Sequence, residues 1–137
     1  MSTVPQELDW VEKRAACIAA TVFNQLCDGI VSDVEAVNST RDLSEFDKFS
    51  ADMHSSGTTI YVGRPNRIPR VRIAIGIVGD EIGVQQEWAG GLKWSASVGL
   101  NDEGRCILKV KDDAGKETEL EQWQFRKRAL ESLFFSE

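Results

Sequence analysis

The 137-residue sequence has few of the side chains that build metal centres and nucleophilic sites. It has one histidine, His54, and three cysteines that stand far apart, Cys17, Cys27 and Cys106. Zinc sites need clustered histidine and cysteine ligands, so we predict no metal site. An odd number of cysteines without a CxxC pair is typical of reduced thiols, and we expect three small buried residues in a cytoplasmic protein.

The sequence also lacks the motifs of common catalytic and cofactor sites. It contains no GxGxxG, no phosphate-binding loop and no GxSxG. The turn at 112–115 lacks the later ligands of a calcium-binding loop, and nothing in the pattern places a thiol beside His54. We therefore expect no cofactor and favour a protein that is not an enzyme.

Long apolar runs are missing as well. The most apolar stretch, Val71 to Val78, is interrupted by Arg72 and is too short to cross a bilayer. The start of the chain carries Glu7, Asp9 and Glu12 and no apolar run, which is not the pattern of a secretory signal. We expect no transmembrane segment.

Basic residues are fewer than acidic ones, 16 against 22, which gives a net charge of −6. A general nucleic-acid binder needs a cationic surface that neutralises phosphates, so this balance excludes that class. Residues 1–57 hold 4 basic and 10 acidic residues and account for the whole net charge. Residues 58–137 carry no net charge, so the overall balance is compatible with a local anion site among them.

The composition is that of one folded domain over 1–137, with 42% apolar and 28% charged residues. Residues 1–53 form a helical lead. Its apolar residues repeat at spacings of three and four, which predicts one long amphipathic helix. These residues are Leu8, Val11, Ala15, Ile18, Ala19, Val22 and Leu26. Asp28-Gly29 is a typical helix stop, and two shorter helices are predicted over 30–53, separated near Asn38.

Residues 58–120 have the alternation and the turns of an antiparallel meander. A correct register must make its apolar face continuous. A two-residue turn at 79–80 does so, because it places Ile75 opposite Val84. Two later three-residue loops, each ending in glycine, keep the same face apolar.

The Gly90-Gly91 connection fits this face only as an odd-length loop that pairs Trp88 with Trp94. With Thr58–Val62 as a further strand, we predict about six antiparallel strands in sequential order. The sheet is expected to be curved and apolar on one face.

A closing amphipathic helix over 119–135 completes the predicted α+β fold, in which the first and last helices cover the sheet. Its stripe consists of Leu120, Trp123, Leu130 and Phe134. Phe125 and Phe135 lie off this stripe, and Trp10 lies off the stripe of the first helix. These three aromatic residues are candidates for a partner surface. The alternative is that a second layer of the fold covers them.

Four arginines, Arg64, Arg67, Arg70 and Arg72, lie in and after the loop that joins the first two strands. Guanidinium groups clustered in this way bind carboxylates or phosphates, so we name them as a candidate anion site. The alternative is that Arg72 pairs with Glu87 across the hairpin and that the others balance the acidic lead.

A pocket between sheet and helices is the other candidate site. Gln86 is a polar residue on the inward face of its strand, close to Trp88 and Trp94 in the predicted register. A buried amide needs hydrogen-bond partners, and a small ligand could supply them.

These observations favour a small acidic, non-catalytic protein-interaction domain of the adaptor, inhibitor, immunity or chaperone type. It would bind another protein or a second copy of itself. One alternative is a small-ligand binder that uses the tryptophan pocket. Another is recognition of an anion or a phospholipid headgroup by the arginines.

Overall fold

The computed structural model describes residues 6–67 and 71–135, with the side chains of the first helix from Trp10 onward. Within these ranges it has three helices and a seven-stranded antiparallel sheet, which confirms the α+β class. The helices are α1 (Gln6–Ala16), α2 (Ala19–Thr40) and α3 (Gln122–Phe135). The strands are β1 (Ser50–Met53), β2 (Thr59–Gly63), β3 (Arg72–Val78), β4 (Glu81–Glu87), β5 (Lys93–Leu100), β6 (Cys106–Lys111) and β7 (Glu117–Leu120).

The long helix predicted at the start of the chain is broken at Cys17 and Ile18. Ile18 has extended main-chain angles, φ −122° and ψ 155°, and the axes of α1 and α2 differ by 65°. Cys17 is buried and disulfide-bonded to Cys106, with 5.5 Å between their Cα atoms. This bond fixes the chain at the break, and the side chains from Trp10 to Ala16 are exposed. The prediction of one continuous helix is therefore wrong.

Helix α2 runs through Asp28-Gly29, so the predicted stop is also wrong. Gly29 lies under the side chain of Arg126 from α3, where an added Cβ atom would meet Nη1 at 1.8 Å. Glycine at this position leaves room for the Arg126 side chain rather than making a turn. The helix ends at Thr40, shortly before Asp42, whose φ is 53°.

The helix predicted within 42–53 is replaced by turns and by β1, which adds the seventh strand. Phe49 is buried against Phe134, with 5.0 Å between ring centroids. Asn38 bonds the main chain of Phe49 twice: its Nδ2 donates to the carbonyl oxygen at 2.9 Å, and its Oδ1 accepts from the N–H at 2.8 Å. These bonds occupy the main-chain groups that a helix would use and align the chain with the sheet.

The sheet keeps the chain order from β1 to β7, with every neighbouring pair antiparallel. The predicted registers of β3 with β4, β5 with β6 and β6 with β7 are confirmed. The β4–β5 register is wrong, because Trp94 lies opposite Val84 instead of Trp88. The connection closes where the N–H of Gln86 donates to the carbonyl of Leu92 at 2.9 Å. The predicted and the observed β4–β5 pairings differ by an even number of residues, so the same side chains face the core in both.

Helices α2 and α3 pack on the apolar face and run parallel to each other. Asp33 of α2 pairs with Arg126 of α3, and further along Arg41 donates to the carbonyl of Phe134. Residue numbers therefore rise together along both helices. Large core side chains come from both helices and the sheet: Phe23, Leu26, Ile30, Ile73, Ile75, Ile82, Leu108, Phe125 and Leu130.

The buried face of α3 differs from the predicted stripe. Trp123 is 53% exposed, whereas Phe125 is fully buried beside Trp94, with 5.1 Å between ring centroids. Phe125 is therefore no part of an exposed partner surface, which corrects that expectation. The predicted stripe includes Leu120, which belongs to β7 and not to the helix. Removing a strand residue from the pattern turns the apolar face of the helix toward Phe125.

The disulfide between Cys17 and Cys106 corrects the expectation of three reduced thiols, and Cys27 is a buried free thiol. Cys106 has the inward phase predicted for β6 but lies at the end of the strand, where it is exposed and meets the start of α2. Among the described helices, none alone has the length and apolar character to cross a membrane. The bent pair α1 and α2 meets those two criteria together.

Candidate binding sites

A groove of about 410 Å³ runs between α2 and α3 on the side facing away from the sheet's strands, and we call it the α2–α3 groove. Apolar groups form much of its lining: Ala36, Val37, Leu130, Phe134, Trp123 and Phe135. Trp123 and Phe135 are 53% and 63% exposed, and they lie near opposite ends of α3. An apolar cleft with aromatic groups at its rim has the composition of a binding site.

The basic side chains that line the groove differ in whether they form an ion pair. Arg126 Nε lies 2.9 Å from Asp33 Oδ2, and Lys127 Nζ lies 3.1 Å from Glu131 Oε2. Arg41 has no carboxylate within ion-pair distance among the described residues. Its guanidinium donates to the carbonyl of Phe134 and lies 5.7 Å from the centroid of the Phe135 ring.

A second cavity, of about 280 Å³, lies where β1, β2 and β3 meet, and we call it the arginine cavity. Arg64 and Arg72 line it together with Ser50, Asp52 and Tyr61. Arg72 lies over the Tyr61 ring, 4.1 Å from its centroid, and pairs with Glu87, with 3.1 Å between Nε and Oε2. The cross-hairpin pair foreseen as the alternative role of Arg72 is therefore present.

Arg64, unlike Arg72, has no carboxylate within ion-pair distance in the described ranges. Its guanidinium lies 4.5 Å from the centroid of the Phe49 ring, and its buried Nε has no hydrogen-bond partner among residues 6–67 and 71–135. Burial, and then the neighbouring charges of Arg67 and Arg41, lower the pKa of Arg64, while Asp47 acts in the opposite direction. A half-buried guanidinium with two cationic neighbours is a candidate partner for an anion, and the carboxylate of Asp52 lines the same cavity.

The four arginines named from the sequence are brought together only in part. Arg67 is not in the cavity lining, and its Nε lies 2.9 Å from Asp47 Oδ1. That hydrogen bond lowers the pKa of the Asp47 carboxyl. Arg70 lies outside the described residues. Arg64 and Arg72 therefore remain as the pair that shares one cavity.

The main reason to expect a ligand near Trp88 and Trp94 is removed, because the side-chain amide of Gln86 has hydrogen-bond partners within the chain. Its Oε1 accepts from the N–H of Leu92 at 2.9 Å, and its Nε2 lies 3.5 Å from Ser132 Oγ. Trp88 packs against the core, and Trp94 lies between Phe125 and the guanidinium of Arg128. Gln86 thus gives no reason to expect a ligand.

The sequence named two of the exposed aromatic residues and missed a third. Trp10 on α1 and Phe135 at the end of α3 are exposed, 56% and 63%. The apolar stripe of the last helix predicts a core position for Trp123, and no predicted site includes Arg41. A basic residue just after a helix commonly binds the last carbonyl groups, and that signal could have placed Arg41 at a helix end.

His54 lies exposed in the turn between β1 and β2, as expected. Its Nδ1 accepts from the main-chain N–H of Ser56 at 3.1 Å. The free thiol of Cys27 is buried on α2, away from this turn. In the part of the chain that the structure describes, no three His, Cys, Asp or Glu side chains are grouped so as to hold a metal ion.

Comparison of the chain with protein-family models, curated proteins and solved structures gives no match. The geometry of the two cavities is therefore the basis for the functional argument.

Proposed function

We propose that this protein is a non-catalytic protein-interaction domain that binds an amphipathic helix of its partner in the α2–α3 groove. The observation that supports this most is the exposed pair Trp123 and Phe135 at the ends of an apolar groove between parallel helices. Large aromatic residues beside a desolvated cleft are typical binding hot spots. An apolar surface that is exposed in the isolated domain commonly marks the place where a partner binds.

The dimensions of the groove favour a helical occupant. From Trp123 to Phe135 the groove follows α3 for about 18 Å, at about 1.5 Å per residue, which matches a helix of about three turns. Helices bound in grooves insert apolar side chains at spacings of three and four. The C-terminal ends of α2 and α3 meet near Arg41, so an antiparallel occupant brings its N-terminal end and an acidic side chain there.

This function is tested by selecting from a displayed library of helical peptides on the folded protein. We expect the enriched peptides to carry apolar residues at i, i+4 and i+7 and to bind the Ala36→Arg variant about tenfold more weakly or worse. Ala20→Arg is the matched control, because Ala20 is also exposed on α2 but lies outside the groove. Peptides that bind the wild type and Ala36→Arg equally well would contradict the proposal.

A second candidate function is binding of an oxyanion in the arginine cavity, supported by the buried Nε of Arg64, which has no acceptor in the part of the chain that the structure describes. Carboxylates and phosphates both suit a guanidinium, and Arg72 lines the same cavity. The test is calorimetric titration with inorganic phosphate and, separately, with acetate. We expect Arg64→Gln to abolish binding of whichever anion binds, and Arg67→Gln to retain it because Arg67 is not in the lining. Equal binding by wild type and Arg64→Gln would remove this candidate.

The cytoplasmic location stays a prediction. The Cys17–Cys106 disulfide weighs against it, because disulfides persist mainly in oxidising compartments. Cell fractionation after rapid blocking of free thiols, followed by mass measurement of the intact chain, decides between a reduced cytoplasmic form and an oxidised one.

A further inference from the structure

Helix α1 approaches β5, but none of its described side chains is buried against the described part of the chain. Its described side chains, Trp10 to Ala16, are all exposed, and Trp10 and Val11 are each more than half exposed. The helix has 11 residues, and isolated helices of that length are marginal in water. Its sequence nevertheless carries an apolar face, with Val11 and Ala15 on one side. A second apolar surface would stabilise it.

The groove of the same chain is out of reach of α1. Helix α1 is held at its C-terminal end by the disulfide of Cys17 and is about 16 Å long, at about 1.5 Å per residue. The groove begins at Asp33, about 21 Å along α2 from Ala19 on the same scale. Even folded back along α2, α1 would end before the groove. If α1 occupies a groove, that groove therefore belongs to another molecule.

The length and charge of α1 match the groove of a second copy. Its length of about 16 Å is close to the 18 Å or so that the groove follows along α3. The α1 sequence has three acidic residues, the last of them Glu12, before its basic pair in the last turn. In an antiparallel arrangement, the acidic end comes near Arg41, which has no carboxylate within ion-pair distance among the described residues, whereas Asp33 at the other end is already paired with Arg126. The dipole of α1 then also opposes those of α2 and α3.

We propose that α1 of one copy docks in the α2–α3 groove of a second copy, and that the exchange is reciprocal in a two-fold dimer. Such an interface is isologous, because each subunit offers one helix and one groove. This inference rests on the proposed function, since it names the helix that the groove binds.

The test is sedimentation velocity of the full-length oxidised chain over a concentration series. We expect a monomer–dimer equilibrium whose dissociation constant rises about tenfold or more in Val11→Asp and in Ala36→Arg. Val31→Asp and Ala20→Arg are the matched controls. Both residues are exposed on α2 outside the groove lining, and their substitution should leave dimerisation unchanged. Circular dichroism checks that all four variants keep the fold.

A photo-crosslinking side chain at Trp10 gives a second readout that does not depend on destabilising variants. Isotope-labelled and unlabelled chains are mixed, and we expect crosslinks between chains of different mass, from α1 of one to α2 or α3 of the other. Crosslinks within one chain, or to the sheet of another, would overturn the inference. A chain that stays monomeric at all concentrations would also overturn it, while leaving the proposed function intact if selected helices still bind the groove. Loss of both dimerisation and peptide binding would remove both proposals.

Discussion

At the scale of the residue, Cys27 shows how the core controls chemistry. Its thiol is buried on α2 and does not take part in the disulfide. Burial, with a smaller contribution from the charge of Asp28, raises the pKa of Cys27 to about 11 from 9.0. The thiolate is therefore scarce in the folded chain at neutral pH, and the group behaves as a small apolar side chain.

This shift predicts a loss of stability at alkaline pH. Well below pH 9 the thiol is protonated in both the folded and the unfolded chain, so the free energy of unfolding does not depend on its ionisation. As the pH rises toward 11, the unfolded chain ionises first, so the free energy of unfolding falls. We expect the wild type to lose about 2 kcal/mol more than Cys27→Ala over this range, since one pKa unit corresponds to about 1.4 kcal/mol. Urea unfolding of both proteins at matched pH measures the difference, and parallel pH profiles would contradict it.

At the scale of the element, α3 has a core face and an exposed end. Phe125 is fully buried against Trp94, whereas Phe135 is 63% exposed at the C-terminal end of the same helix. The two residues are chemically identical, so they separate the contribution of packing from that of helix propensity.

We expect Phe125→Ala to lower the free energy of unfolding by about 3–5 kcal/mol, because it leaves a cavity in the core. Phe135→Ala is the control in the same helix and should change it by about 0.5 kcal/mol or less. Thermal unfolding followed by tryptophan fluorescence measures both. Similar losses in the two variants would show that the packing of α3 described above is wrong.

The elements differ in how far the sequence could predict them. The β3–β4 hairpin was predictable because its strands are chain neighbours, and the turn at 79–80 and the alternation agree on one register. The β4–β5 register was not, since two loops that differ by an even number of residues bury the same face. Gly29 reads locally as a helix stop. Its actual role depends on Arg126, a residue from the far end of the chain.

The candidate sites also differ in whether their residues are neighbours in the chain. Arg64 could be named from the sequence because its neighbours in space, Arg67 and Arg72, are also neighbours in the chain. The groove could not, because Arg41 and Phe134 meet only through the parallel packing of α2 on α3. No local pattern encodes that packing.

At the scale of the whole molecule, the disulfide joins Cys17, at the break between α1 and α2, to Cys106 of β6. The two cysteines are 89 positions apart in the chain. A crosslink that closes so long a loop restricts the unfolded chain strongly. It also holds α1 beside the sheet, where α1 contacts β5.

Reduction of this bond should lower the free energy of unfolding by about 2–4 kcal/mol. We expect urea unfolding with and without a dithiol reductant to show the difference in the wild type. The double variant Cys17→Ser, Cys106→Ser controls for other effects of the reductant and should be insensitive to it. An unchanged wild-type midpoint after complete reduction would contradict the stabilising role.

The sequential order of the strands has a kinetic consequence. Each strand pairs with the next one in the chain, so the ladders form by closing short loops, which costs little conformational entropy. Packing α2 on α3 instead requires segments separated by the whole sheet to meet. The hairpins are thus expected to form early on the folding pathway and the helix pair late, so substitutions in the groove should mainly speed unfolding and leave the folding rate little changed.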